Sequence, residues 1–414
     1  MLQFFPAGRH PGKNVRLFLL IVCLLAITGC GGGGGSTGNV TGSSTSDINI
    51  LSPAAGFPLM VDPQGVFMEA VKVTPAAMYA CYIQTGSPYL MLARSENNGA
   101  SWHYSTIDFG GTFASLEVDG DNVHVSYLDQ CWKTLKFASS SNRGDTWQIK
   151  EVDNTLKSDP TTRETNGDTS QPYVPDDFEY TAMARSGDSF FVAYHDRVHS
   201  TLRLARSSDR GVNWEYTTLD DSDGNDGDSP SIVIDGTNVY ISYVGVTGQG
   251  QSAMDSVYMM VSRDFGLTWG KRPVSPTAYA SGYYTSVAAK GNQVFVSYFN
   301  ALNRKLMLAK SVDYGADWEI STVDSNDNTG RFSTLSFGQG VMYLSYSDWS
   351  NNSLKVARSY DGGNTWAAKT VAYDTDSNNS TAASVLGNEL FVLYFSGNSS
   401  QPGSFGTMLT KIVS

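Results

Sequence analysis

A chain of 414 residues with 41 glycines, 12% aromatic and only 16% charged residues can bury a large core. It lacks the Glu-, Lys- and Ala-rich texture of a helical protein, and many short strands joined by tight turns are expected. The net charge of −12 argues against nucleic acid as a partner and against electrostatic docking on anionic lipid.

In chain order, the first 29 residues divide into a basic stretch with Arg9, Lys13 and Arg16 and an apolar run, Leu17 to Ile27. Eleven apolar residues suit the core of an export signal and are too few to span a bilayer. The run leads into Ile27-Thr28-Gly29-Cys30, which resembles the bacterial lipobox. That resemblance implies cleavage before Cys30, acylation of this cysteine, and a membrane anchor. The expected location is the bacterial envelope, with the outer membrane favoured in a Gram-negative host. Gly31 to Gly35 and the Ser/Thr/Gly/Asn stretch to about Ser46 cannot pack a core and read as a flexible tether over 30–46. Residues 47–414 form the folded body.

The body repeats. Ser-x-(Asp/Asn)-x-Gly-x-x-Trp occurs six times, beginning at Ser95, Ser140, Ser207, Ser262, Ser311 and Ser359, at spacings of 45, 67, 55, 49 and 48 residues. Six of the eight tryptophans fall in it, which rules out coincidence. The Asp or Asn can accept from amides just downstream, glycine supplies a positive φ, and tryptophan can fold back over the hairpin. The phrase therefore reads as a structural, self-contained turn. Alternating strands such as Val123–Tyr127, Val294–Tyr298 and Met342–Tyr346 precede it and read as half-buried. Further strands flank them, such as Leu90–Arg94, Glu319–Val323 and Phe113–Leu116. Four strands per 45–50 residues is the size of a propeller blade. The fold is therefore expected to be all-β, a β-propeller of seven blades of four antiparallel strands, with six as the alternative. The last unit has three strands and no turn phrase; Ile48–Leu51 is expected to supply the fourth and close the ring.

The phrase resembles the Asp box, or bacterial neuraminidase repeat, of sialidase-like propellers, over about residues 66 to 414. The resemblance implies that the boxes lie between the third and fourth strands, on the face away from the ligand. Ligands would meet the opposite face, built from second-to-third strand loops and blade-joining loops. Sialidases hold a carboxylate with three arginines and use a tyrosine nucleophile activated by a glutamate. The early Arg-Ile-Pro phrase of that family is not found in this sequence. Arg94, Arg206 and Arg358 precede boxes and so belong to the other face. Arg197, Arg331 and Arg163 fall on the ligand side, and Glu69, Glu179 and Tyr180 begin first strands there. His195-Asp196-Arg197, with His199 nearby, reads as a second-to-third strand loop: a polar surface, or a general base or metal ligand. Trp132 and Trp349, outside the boxes, fall in such loops and could stack on sugars, anchor a protein, or pack between blades. Calcium is the cofactor the sequence suggests. Asp221, Asp223, Asp226 and Asp228 alternate with glycine, as calcium loops do, although turn-forming residues produce the same pattern. Cys81 and Cys131 are the cysteines of the body; a disulfide and two thiols both fit the sequence.

The expected function is a non-catalytic module binding protein or glycan. An exo-acting glycosidase is the second reading and a structural envelope component the third.

Overall fold

The computed structural model describes residues 52–84, 89–129, 133–156, 180–222, 226–247, 254–275, 282–373, 375, 381–397 and 405–413. They form seven antiparallel sheets of four strand positions each, closed into a ring. Blades 1 to 6 are contiguous in sequence: residues 65–109, 111–153, 181–220, 228–273, 282–324 and 329–373. Blade 7 takes three strands from residues 382–413. Its outer position is filled from the other end of the body, by Ser52–Pro53 on Ile412–Val413 and Leu59–Asp62 on Thr407–Leu409. Closure by an N-terminal strand is therefore as expected, but through residues 52–62; Ile48–Leu51 lie outside the described residues. Gly406 permits it. Its φ is +127°, and a Cβ there would stand 2.5 Å from the Asp62 carbonyl oxygen.

The first strands line the axis and each touches the next, the seventh meeting the first. The core is divided into seven clusters, one in each seam between neighbouring blades. This changes the reading of the alternating strands. In Ser189–Asp196, Phe190, Val192 and Tyr194 enter the seam with blade 2, while Phe191 and Ala193 enter the seam with blade 4. Such second strands are buried on both faces rather than half-buried, because every sheet is sandwiched between two others. Only the fourth strands, such as Glu215–Asp220, turn most of their side chains to solvent.

The six turn phrases close the third-to-fourth strand hairpins. In each, the serine Oγ accepts from the glycine N–H at 2.8–2.9 Å. It also donates to the Asp or Asn Oδ1. The Oδ1 then accepts from the N–H four residues on. The phrase is not self-contained, however. Each tryptophan packs against the cluster shared with the preceding blade. At Gly144, Gly211 and Gly266 a Cβ would come within 2.6 Å of Leu92, Phe137 and Phe191 of the preceding blade. Glycine is needed there for approach as well as for φ.

Two polar contacts recur across the seams. Near the axis, Phe113, Ser229, Tyr284 and Phe332 sit at positive φ, in or beside bulges of the first strands. Their carbonyls accept from Thr181, Thr285, Ser333 and Thr381 of the next blade. Further out, a fourth-strand aspartate accepts from a second-strand tyrosine of the next blade: Asp62–Tyr82, Asp108–Tyr127, Asp153–Tyr194, Asp220–Tyr243 and Asp324–Tyr346. Four of these aspartates also meet a cation, Lys136, Arg203, Lys271 or Lys355. Burial works against charge on Asp220 and Asp324, but hydrogen bonds from lysine and tyrosine outweigh it and hold both below the usual carboxylate range.

Replacing Asp324 with Ala strands the ammonium of Lys355, only 5% exposed, and should lower stability by ~3–5 kcal/mol in urea unfolding. The pair Asp324→Leu with Lys355→Met should recover most of that loss; equal instability of the double variant would refute the charge-stranding account.

Acid should weaken both seams of blade 3 early, through His124 between blades 2 and 3 and through His195, which shares the blade-4 face of Phe191, Ala193 and Leu202. His124 and His195 are both pushed down to about 4, chiefly by burial. Each is neutral when folded and takes a proton first when unfolded, so its contribution is intact above about 6.5 and is lost as pH falls toward 4. The slope is at most about 1.4 kcal/mol per pH unit for each. The Asp220 and Asp324 contributions disappear lower, below the unfolded carboxylate value. Urea midpoints of the protein and of a His124→Phe variant, measured from pH 7 to pH 4.5, test this. The variant should lose less stability on acidification, and parallel curves would discount His124.

Candidate functional site

Strand alternation places the second-to-third strand loops and the blade-joining segments at one end of the ring, opposite the box turns. The expected site residues distribute unevenly over this loop face. Trp132, Glu179, Asp223 and Cys131 lie outside the described residues, as does the side chain of Glu69. Cys81 is fully buried in the seam between blades 1 and 2. Tyr180 packs on Phe113 with ring centroids 5.0 Å apart, joining the contact between blades 2 and 3.

His195 and Asp196 are not loop residues; they end the strand Ser189–Asp196 and both are buried. The loop begins at exposed Arg197. Asp196 is occupied locally, accepting from the His199 amide at 3.1 Å, meeting His199 Nδ1 at 2.8 Å and lying 3.4 Å from Arg203. It therefore organises the loop. Desolvation, helped by Arg197 and opposed by Asp196, keeps His195 neutral.

The acidic loop also divides. Asp221 is exposed, whereas Asp226 is fully buried with Oδ1 3.9 Å from Lys271 Nζ. Lys271 also binds Asp220 at 2.7 Å, so the chain supplies its own cation on that side. Among the described residues no group of three or more His, Cys, Asp and Glu could hold a metal ion.

Asp228 opens the inner strand of blade 4 and is partly exposed. It stands deep enough in the ring for desolvation to push it up to about 6, with Asp255 reinforcing the rise and Ser229 and Arg197 opposing it. Beside it, Tyr283 donates to Asp255 Oδ2, and burial together with that carboxylate holds the phenol above its ordinary value. Tyr284, at the bulge of blade 5, packs on Phe332 with ring centroids 4.2 Å apart and planes tilted by 41°, and feels both Asp228 and Arg331. The Arg331 guanidinium lies 3.4 Å from the Trp349 ring centroid and 5.0 Å from that of Phe299. Trp349 directly follows the strand Met342–Asp348, as the sequence indicates. Its amide donates to the Asn328 carbonyl at 3.1 Å, so the loop that carries it is pinned to its neighbour.

Of the expected residues, the fold brings Arg197, Asp228, Arg331 and Trp349 into one neighbourhood, spanning blades 3 to 6. Asp255, Tyr283 and Tyr284 were not singled out from the sequence. A signal for Tyr284 exists: it occupies the same bulge position as Phe113, Ser229 and Phe332, two residues before a serine or threonine. Chemically the cluster offers an aromatic surface with a cation on it, an acid that burial pushes up to about 6, and a tyrosine–carboxylate pair.

The sequence matches no family model and no curated relative. Its fold is similar to solved structures. A GH74 xyloglucanase from Xanthomonas campestris superposes with TM-score 0.51 at 14% identity, over 84% of this chain and 52% of the other. This chain therefore spans about half the length of that enzyme. The Hadza microbial sialidase Hz136 gives 0.49 at 12% identity, over 78% and 73%, and the polysaccharide lyase Uly1 gives 0.49 at 12%, over 85% and 90%. At such identities the likeness is one of fold, and the chain is an all-β, seven-bladed propeller whose chemistry has to be read from its own residues.

Proposed function

We propose that this chain is an exported, lipid-anchored propeller that binds glycan, without cleaving it, through the loop face around Trp349, Arg331, Tyr284 and Asp228. The observation that carries the reading is the guanidinium of Arg331 on the Trp349 ring at 3.4 Å, beside a tyrosine pair and an acid. Sugars offer C–H faces to aromatic rings and hydroxyls to charged groups, and sites of this composition suit them. On this reading the six turn phrases are Asp boxes of the neuraminidase-repeat type and serve as structure only. Glycan arrays probed with the full chain, followed by calorimetry on the best hit, test it. Trp349→Ala should weaken binding roughly 30-fold, an effect of about 2 kcal/mol. Unchanged affinity would move the site elsewhere, and an array without hits would favour a protein ligand.

Hydrolysis is the second reading, favoured by the Tyr283–Asp255 hydrogen bond beside Asp228. A tyrosine backed by a carboxylate and an acid near 6 are usable parts for glycoside chemistry. A panel of chromogenic glycosides, sialosides included, decides between the two. Turnover that falls as pH rises through about 6, and that Tyr283→Phe abolishes, would replace binding with catalysis.

Anchoring rests on the Ile27-Thr28-Gly29-Cys30 phrase and the glycine run behind it. Cys30→Ser should abolish incorporation of labelled palmitate and shift the protein from the membrane to the soluble fraction; membrane retention would reject the lipid anchor. Calcium at Asp221, Asp223, Asp226 and Asp228 rests on sequence alternation alone. A thermal midpoint unmoved between calcium and chelator would dismiss it.

A further inference from the structure

The register of the closing strand fixes the end of the ring from which the preceding chain departs. Ser52 pairs with Val413 and Pro53 with Ile412. Ile412 in turn pairs with Leu390, at the start of the strand Glu389–Gly397. That strand follows a first-to-second hairpin, and such hairpins sit beside the box turns. In blades 2 and 3, for example, the Arg143 and Arg210 amides of the boxes donate to the Asp121 and Asp188 carbonyls of those hairpins. The chain before Ser52 therefore leaves the box end, opposite the loop face. The 21 residues between Cys30 and Ser52 are rich in Gly, Ser and Thr, and a flexible coil of that length spans about 25 Å. The loop face lies a strand further on, roughly 23 Å for seven residues such as Thr201–Ser207. A bilayer holding Cys30 thus meets the box end first. Tethering at this range gives an effective concentration of about millimolar, so that a weak contact becomes populated.

The box end offers such a contact. Val212, Leu267, Val312, Tyr314 and Tyr360, in the box turns of blades 3 to 6, are 36–70% exposed. The turn does not use these side chains, since its bonds are made by the serine, the Asp or Asn and backbone amides. Leucine and valine favour the hydrocarbon edge of a bilayer, and tyrosine suits the boundary with an apolar ring and a polar hydroxyl. Arg263 is exposed, with its guanidinium 4.5 Å from the Tyr314 ring centroid, and a side chain of that length reaches headgroups while its stem stays on apolar surface. The carboxylates of the same turns are engaged within them: Asp264 accepts from Leu267 and Thr268, and Asp361 from Thr365. Those hydrogen bonds keep both ionised at neutral pH, so the matching surface is zwitterionic rather than anionic.

We propose that the box end of blades 3 to 6 docks on the zwitterionic lipid surface that holds Cys30, with Leu267, Val312, Tyr314 and Tyr360 at the boundary, so that the loop face points away from the bilayer. The proposal rests on the lipid anchor at Cys30 and is independent of what the loop face binds. It gives the exposed apolar side chains of the turns a partner, and it leaves the surface around Arg331 and Trp349 open to whatever approaches from the aqueous side.

The test uses the acylated chain purified from membranes and reconstituted in phosphatidylcholine vesicles. An environment-sensitive fluorophore is attached at Leu267→Cys, in a Cys131→Ser background that leaves fully buried Cys81 as the other cysteine of the body. A label at Leu302→Cys, 67% exposed on the loop face, is the reference, and co-flotation with the vesicles reports the anchor separately. The label at 267 should shift its emission to the blue and be quenched by iodide about threefold less than the label at 302. Adding Val312→Asp and Tyr360→Asp should remove that protection while co-flotation persists. Equal quenching at both positions in a chain that floats would overturn the docking and leave the anchor standing. Protection at 302 instead, or protection at 267 that survives the two aspartates, would also overturn it. A chain that does not float refutes the anchor and the docking together.

Discussion

Everything in this molecule depends on the seams. A four-stranded sheet of this sequence has apolar side chains on both faces of its second and third strands, so no blade can bury its own surface. Phe190 and Phe191, adjacent in the chain, lie in different clusters on opposite sides of one sheet. Such a sheet is stable only between two others; a row of such sheets must either be capped or close on itself, and this one closes. Closure is made by residues 52–62, which fill the outer position of blade 7.

The polar contacts follow from the same constraint. Sheets packed face to face leave hydroxyls and carboxylates in places that water cannot reach, and many of them find a partner across the seam. The left-handed bulge residues near the axis turn a carbonyl out of its own ladder and toward the next blade. The aspartates at the ends of the fourth strands do the same further out, taking a tyrosine and often a cation from the neighbour. The turn phrase belongs to this scheme as well, since its tryptophan and glycine contact the preceding blade while its serine and Asp or Asn fix the turn. One repeated unit thus carries its hairpin and its share of two seams.

The candidate site sits where the repeat is broken. Blades 3 to 6 depart from one another at the loop face: Arg197 begins a loop where blade 6 has Trp349, and Asp228 and Tyr283 stand near the inner bulges of blades 4 and 5. His195 replaces with an imidazole a position whose counterparts in blades 5 and 6 are Phe299 and Ser347. Departures of this kind turn a structural ring into a surface with chemistry, because the scaffold is indifferent to which side chain a loop presents.

The sequence by itself determined the repeat, its phase and the chemistry of its turn. Those features are local: a serine, an Asp or Asn, a glycine and a tryptophan within eight residues satisfy one another by short backbone geometry that needs no distant partner. Strand alternation and repeat length then implied blades, and an unfinished final unit implied an N-terminal closing strand. Only the tertiary structure decided that the second strands are buried on both sides, that His195 and Asp196 lie in the sheet and not in a loop, and that Asp226 faces Lys271. It also decided that Tyr283 meets Asp255 and that Arg331 lies on Trp349. These are contacts between neighbouring strands or blades whose partners lie far apart in the chain, and their geometry is set by how the sheets tilt and close around the ring, which no local pattern encodes.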